Sequence, residues 1–433
     1  MSSDTPRSAP PAVDPRQTAA GLSLTQDAWR RLRRNRVAMA SLGALVVISL
    51  LALLTPLLPL QAPDFAQTDW QYAEPTFSPL WLYTFDLDVE AIRRTPQAVA
   101  QLRAELPSLE AALDRAAGRL RRVAKNLPAA ERKAQLAALQ AAYDNAWESL
   151  RHKQAEIQDT IQGPYRKLGF SRLGWLSRGM VRMRYALFGK RSLNAVCGRD
   201  LLGRDMLSRL FWGARISLIV GLVATFVSLV IGVSYGAVAG YMGGWVDDAM
   251  MRMVDVLYSI PFIFVVIFLI TILGQEQIAD TLAYWGIDRI TIFFFVVGAI
   301  YWLTMARVVR GQVISLKNEP FVEAARSLGA GSGRIIFLHL LPNLLSVVIV
   351  YLTLTIPRVM LFEAFLSFLG LGVEPPDVSW GLLANEGIKV ITPVKIYWWL
   401  ILFPSLALGM TLLALNFLGD GLRDVLDPRL RDQ

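Results

Sequence analysis

Few residue types in this 433-residue chain could make or break bonds. It holds one cysteine, Cys197, and two histidines, His152 and His339, too few for a metal centre or a thiol–imidazole pair. The same count excludes a disulfide scaffold. The only glycine-rich stretch, Gly329 to Gly333, lacks the lysine that a phosphate-cradling GxxxxGK(S/T) loop requires. Two kinds of residue remain. One is a polar segment, Glu323-Ala324-Ala325-Arg326-Ser327-Leu328-Gly329, followed after nine residues by His339-Leu340-Leu341-Pro342. The other is a handful of charges among apolar neighbours, Asp255, Arg307, Arg358 and Glu363. A charge inside a helix bundle is a functional candidate by default. For Arg358 and Glu363 a gate or pathway role competes with a structural pair or snorkelling. Asp255 and Arg307 also fit as interface anchors.

The elements that must position these residues are membrane helices. The chain is 54% hydrophobic and only 18% charged, against about 45–50% and about 25% in soluble domains. The apolar residues gather in six long runs, at 37–58, 214–239, 254–274, 287–306, 341–362 and 396–418. Each approaches the roughly 20 residues a bilayer demands. Only helices can cross singly, so the expected fold is all-α with six transmembrane helices. Pro261, Pro357 and Pro404 fall inside runs and predict kinks or breaks at bundle-facing positions, although membrane helices also simply tolerate proline.

Charge placement sets the expected orientation. With both termini cytoplasmic, the inner flanks carry sixteen Lys and Arg residues, from Arg7 to Arg431, and the short outer loops only Arg289, Lys389 and Lys395. This topogenic bias also accounts for the net charge of +9, which argues against nucleic acid as partner. Residues 1–36 read as a basic cytoplasmic tail, 37–60 as an uncleaved first anchor, and 419–433 as a cytoplasmic C-terminal tail.

Between the first two spans, 61–213 form an extracytoplasmic insert of different composition. Leu102, Leu106, Leu109, Leu113, Ala116, Leu120, Val123 and Leu127 recur at steps of three and four, and Leu136, Leu139, Tyr143, Ala146, Leu150, Ile157 and Ile161 repeat the device. This spacing predicts an antiparallel helical hairpin over 97–162 with a coiled-coil seam, bounded by Pro96 and Gly163–Pro164. Its mixed-charge faces suit solvent, or docking to an acidic partner. Residues 170–192 are basic, carry Trp175 and Tyr185, and could lie along the membrane surface.

Around Glu323 the local physics predicts a short helix. Pro320 initiates it, small residues at 324 and 325 would let it enter a partner's groove, and Gly329 with Gly331 and Gly333 ends it. Composition alone also fits a loop between spans. Its pattern of EAA, three residues, Gly, nine residues, a variable position (here His339 in place of Ile), one residue and Leu341-Pro342 resembles the EAA loop of ABC importer permeases. Gly203-Arg204-Asp205-Met206-Leu207-Ser208-Arg209, Gly240-Tyr241-Met242-Gly243-Gly244-Trp245-Val246-Asp247, Leu366-Ser367-Phe368-Leu369-Gly370-Leu371-Gly372, and Ser379-Trp380-Gly381 are similar to stretches of the dipeptide/oligopeptide permease group, and Trp29-Arg30-Arg31-Leu32-Arg33-Arg34-Asn35-Arg36 resembles the start of its C-type subunit. The resemblance spans about 20–60 and 195–431 and leaves the hairpin without a counterpart.

It implies a type I importer fold with a core at 214–418 and a cytoplasmic coupling loop at 307–340. Glu323, Ala324, Ala325, Gly329, Leu341 and Pro342 would couple to ATPase subunits. Pro375, Pro376 and Trp380 would meet an external substrate-binding protein, and Arg358, Glu363 and Asp255 are candidates for the gate or pathway. Implied partners are a second permease subunit, two ATP-binding subunits holding ATP and Mg2+, the binding protein and membrane lipid, in a bacterial inner membrane. The chain itself would bind no cofactor and no metal, and would be no enzyme. Peptide is the expected cargo, with a nickel chelate as alternative; a channel or scaffold displaying the hairpin is a separate class.

Overall fold

The computed structural model describes residues 24–426, apart from 77–79, 84–85, 127–128, 172, 276–277, 279–281, 283–288 and 394. The readings made for the first 23 residues, for the hairpin turn at 127–128 and for 427–433 lie outside the described residues.

Helix α1 (Leu24–Arg34) is followed at Asn35 by α2 (Arg36–Leu54), whose first turn is capped by the Asn35 side chain accepting from Ala38 N at 3.1 Å. The long apolar helices are α6 (Met206–Met242), α9 (Arg289–Leu316), α11 (Ser332–Phe368, with a π turn at Ile335–Leu340) and α13 (Trp398–Leu426). Between α6 and α9 lie α7 (Gly244–Ser259) and α8 (Phe262–Leu273), bent by 86° across the break at Ile260–Pro261. Among the described residues five helices are thus long and apolar enough to cross a membrane, or six if the bent pair is one span. Pro261 breaks its helix, while α11 and α13 run on through Pro357 and Pro404. Those two prolines are buried as expected; Pro261 is exposed.

Several helices outrun their apolar stretches. α6 starts at Met206, eight residues before the expected span, because Asp205 caps it by accepting from Ser208 N at 2.8 Å. α13 continues to Leu426, so the expected tail at 419–433 begins as helix. Gly421 faces Ala38 of α2, and Leu45 and Ala52 share a core with Ala414 and Leu415. The first helix therefore packs into the bundle.

The most extensive helix packing joins α6 to α9. Gly232, Gly236 and Gly240 form a ladder at four-residue spacing, and a Cβ on Gly236 would lie 2.3 Å from the Ala306 carbonyl oxygen. Membrane helices, lacking a hydrophobic drive to associate, use small residues in this way to bring backbones together.

The insert is mainly helical. α3 (Val89–Asn126) and α4 (Ala129–Arg166) pack on each other. Burial falls on Val99, Leu102, Leu106, Leu109, Leu113, Ala116 and Leu120 of α3 and on Tyr143, Ala146, Leu150 and Ile157 of α4, the two stripes read from spacing. The Lys153–Glu105 ion pair at 2.8 Å fits an antiparallel arrangement. The bounds differ from expectation: Pro96 and Pro164, taken as the ends, lie inside helices. Below the hairpin come α5 (Trp175–Phe188) and a two-stranded antiparallel ribbon, β1 (Leu80–Tyr83) with β2 (Arg191–Asn194), an exception to the all-α expectation. A small core of Ala62, Leu87, Ile92, Tyr165, Phe170, Leu173 and Val181 seats the hairpin on α5. Two short helices complete the order, α10 (Pro320–Ser327) and α12 (Trp380–Lys389).

Candidate functional site

The segment around Glu323 forms α10. Glu319 precedes it in extended conformation and Pro320 occupies its first turn, where a missing N–H costs nothing. It stops in a Schellman turn: Ala330 N donates to Ala325 O at 3.0 Å and Gly329 N to Arg326 O at 2.9 Å. Gly329 takes φ of +80° there, a value that L side chains resist.

The two faces of α10 differ. Val322 and Ala325 are buried against Met305, Val309 and Val313 of α9 and Ile335, Ile336, Leu340 and Leu344 of α11. Glu323 and Ala324 point away, together with Phe321 and Leu328, the last 88% exposed. Ala324 is therefore the small residue open to a partner, whereas Ala325 is spent on internal packing, contrary to the expectation that both would enter a groove. Leu341 is half-buried in the same core and Pro342 is exposed at the start of the α-helical part of α11. Phe321 and Leu328 were not among the expected site residues, although their spacing with Ala324 (three, then four) already placed all three on one helical face.

This base is cross-braced. Arg310 of α9 holds Asp247 of α7 through two bonds of 2.6 and 2.7 Å. Lys317 Nζ donates to the Gly240 carbonyl at 3.0 Å. These charge-assisted contacts join the end of α9, from which α10 hangs, to the ends of α6 and α7.

Farther along, α7, α8, α9 and α11 enclose a cavity of about 270 Å³ lined by Tyr258, Phe262, Tyr301, Thr304, Tyr351, Thr355 and Arg358, among others. Tyr258 and Thr304 share a hydrogen bond of 3.2 Å, and Tyr301 Oη donates to the Arg358 carbonyl at 3.2 Å. At the rim, Arg307 pairs with Asp255 at 2.7 Å and lies 4.3 Å over the Tyr258 ring. Arg358 lines the cavity, whereas Asp255 reaches it only through Arg307 and the Tyr258 ring. Among the described residues the Arg358 guanidinium has no acidic partner within ion-pair distance.

Glu363 does not join them. Five residues beyond Arg358, it points about 140° away around the helix, is 0% exposed, and accepts from Ser367 Oγ at 2.7 Å. No Arg358–Glu363 pair forms.

The residues expected to face a binding protein also separate. Pro375 is exposed and, joined to Pro376 by a cis peptide bond, lines a second cavity of about 270 Å³ with Ile270, Phe293, Glu374 and Asp377. Trp380 is only 3% exposed. Its backbone N donates to Ser217 Oγ at 3.1 Å and its indole to Leu210 O at 2.9 Å, so it locks α12 to α6 and cannot meet a partner.

The stretch Gly203–Arg209 builds a polar hub that its composition did not disclose. Arg209, almost fully buried, bonds Asp200 at 2.7 Å and Glu386 of α12 at 3.2 Å. Arg204 bonds Asp200 at 2.7 Å. Asp205 also accepts from Ala195 N at 2.8 Å, and burial is the chief cause pushing its carboxyl up to about 6. The hub ties the base of the insert to the start of α6 and to α12.

Residues 232–432 match the family described as "Binding-protein-dependent transport system inner membrane component", and 23–79 match "N-terminal TM domain of oligopeptide transport permease C". The hairpin falls in neither. The dipeptide transport system permease protein DppC of Bacillus subtilis is 46% identical over 54% of this chain and 68% of its own length. The oligopeptide transport system permease protein OppC of Haemophilus influenzae is 47% identical over 54% of this chain and 70% of its own length. A solved structure of the MetNI methionine ABC transporter in an inward-facing conformation overlays with a TM-score of 0.38 and 19% identity, over 51% of this chain and 97% of that one. These relatives are transport subunits rather than enzymes, and this chain belongs with them to the binding-protein-dependent transport permeases, in the permease C group of the dipeptide and oligopeptide ABC importers.

Proposed function

We propose that this chain forms half of the translocation pathway of an ATP-driven peptide importer. It pairs with a second permease subunit, is worked by two ATP-binding subunits that hold ATP and Mg2+, and takes peptide from an external binding protein. Its place is a bacterial inner membrane, with both termini in the cytoplasm. The observation that carries this reading is the outward face of α10, where Phe321, Ala324 and Leu328 make an apolar stripe beside Glu323 on a helix whose other face is fixed to the bundle. Peptide as cargo rests on the relatives' names, a dipeptide and an oligopeptide permease.

The geometry gives a mechanical account. α10 joins α9 to α11, and both long helices line the cavity, α9 with Tyr301 and Thr304, α11 with Tyr351, Thr355 and Arg358. A partner that displaces α10 as a rigid body therefore moves two walls of the pathway together. The bracing at Arg310–Asp247 transmits the motion to α7, which carries Asp255 and Tyr258. Nucleotide binding would favour one arrangement of this two-state bundle and hydrolysis the other, so the permease contributes geometry and no bond chemistry. The cavity's mainly apolar wall, carrying tyrosine and threonine hydroxyls and the Arg358 guanidinium, suits a cargo that is held only loosely in transit.

Reversing the charge with Glu323→Lys tests the reading. Insertion and thermal stability stay normal because the side chain is exposed, while peptide uptake and permease-stimulated ATP hydrolysis are lost. Undiminished uptake would remove α10 from the coupling role.

A further inference from the structure

Helix α5 is built inside out. Ser177, Val181 and Arg184 face inward and are buried. Leu176, Met183 and Leu187 are exposed, Leu187 at 65%, with Met180 half-exposed between them. Steps of four, three and four place these four side chains within roughly 60° of one another. The inversion is held by bonds. The Arg184 guanidinium donates to the carbonyls of Leu60 at 3.3 Å and Arg191 at 3.1 Å and stacks 4.3 Å over Tyr185. An apolar stripe left outside a helix fixed in this way marks an interaction surface.

The level of α5 in the bundle identifies what covers the stripe. α5 packs on the turn Thr55–Leu57 that closes the first apolar run, and Ser177 accepts from Arg215 of α6 at 2.9 Å. No charged residue lies between Arg36 and Asp64, or between Arg215 and Asp247. Both uncharged runs therefore end or begin at the level where α5 meets them. One turn past Arg215, the outward residues of α6 become Ile219, Leu222 and Phe226, all exposed. The helix that carries the stripe is tied through Ser177 to Arg215, one turn before this apolar surface, and Arg182 flanks the stripe on its other side.

We propose that α5 is an interfacial helix whose Leu176–Met180–Met183–Leu187 stripe enters the headgroup–acyl boundary of an anionic phospholipid leaflet, with Arg182 and Arg215 at the phosphates. Helices of this type bind by buried apolar area plus attraction to anionic lipid. The consequence concerns the hairpin. Arg182 Nε donates to Tyr165 Oη at 2.8 Å, and Val181 shares a core with Ile92 and Tyr165. Anchoring α5 to lipid therefore fixes the angle at which α3 and α4 leave the membrane.

The test uses the full chain in its transporter, in nanodiscs of phosphatidylcholine and phosphatidylglycerol, with bimane on Leu187→Cys and, separately, on Met183→Cys. A lipid spin-labelled near the head of its acyl chain should quench both at least about twofold more than the same label on Glu110→Cys of the hairpin. Aqueous iodide should quench them less. Iodide quenching without lipid quenching overturns the proposal, because the stripe then faces water. So does shielding from both quenchers that disappears when the second permease is omitted, because the stripe then belongs to a subunit interface. Lipid quenching that is equal in pure phosphatidylcholine overturns the assignment of the arginines to phosphate. None of these readouts requires peptide transport.

Discussion

Leu328→Ala separates docking from folding at α10. The side chain is 88% exposed, and the turn that follows it is made by the backbone bonds of Gly329 and Ala330. Truncation therefore leaves the permease stable within about 0.5 kcal/mol, as for other exposed positions away from special features. If the proposed ATP-binding subunit covers this face, the variant loses three buried carbons at about 0.8 kcal/mol each, or about 2.4 kcal/mol. At about 1.4 kcal/mol per tenfold, that is roughly a 50-fold weaker Kd. Titrating the ATP-binding subunits against nanodisc-embedded permease, with thermal unfolding of the permease measured alongside, reads both quantities. An unchanged Kd with an unchanged Tm would refute the idea that the Phe321–Ala324–Leu328 stripe is the contact.

Gly236→Val drives side-chain atoms into the Ala306 carbonyl, and since backbone cannot yield, the cost is about 1–3 kcal/mol or more, seen as a lower Tm and as loss of uptake. Arg209→Met strips the buried hub of its central cation; breaking such a pair costs about 3–5 kcal/mol, with the low end expected because Arg204 still neutralises Asp200. Proteolysis should then cut first at the base of the insert. Cys197 is buried, and that burial, with Asp205 adding to it, pushes its thiol up to about 11. Maleimide at neutral pH should leave it unmodified until the protein is unfolded, and rapid labelling of the folded chain would contradict the packing.

How far the sequence could be read depended on whether neighbours along the chain or neighbours in space decided the outcome. The apolar stripes of α3 and α4 were legible because steps of three and four within each helix decide which side chains share a face. The hairpin's ends were not: Ile92 and Tyr165 lie beyond the prolines taken as bounds, and they are held helical by the core they share with Val181. The ladder Gly232-Gly236-Gly240 was not read from spacing, because what gives it meaning, Met305, Ala306 and Arg310 packed against it, lies on α9, about seventy residues along the chain. Trp380 looked like a contact residue from its motif and became a lock once Ser217 and Leu210 satisfied its N–H groups.

By itself the sequence determined that the chain is a bundle of membrane helices carrying one short polar helix near Glu323. Those features follow from apolar run length and from local caps, both written in consecutive residues. Only the tertiary structure decided that Ala325 is hidden and Ala324 open, that Arg358 lines a cavity while Glu363 is walled off, and that Pro261 breaks a helix where Pro357 and Pro404 do not. The physical reason is that burial, pairing and bending are settled by what packs against a residue, and those partners lie tens to hundreds of positions away in the chain.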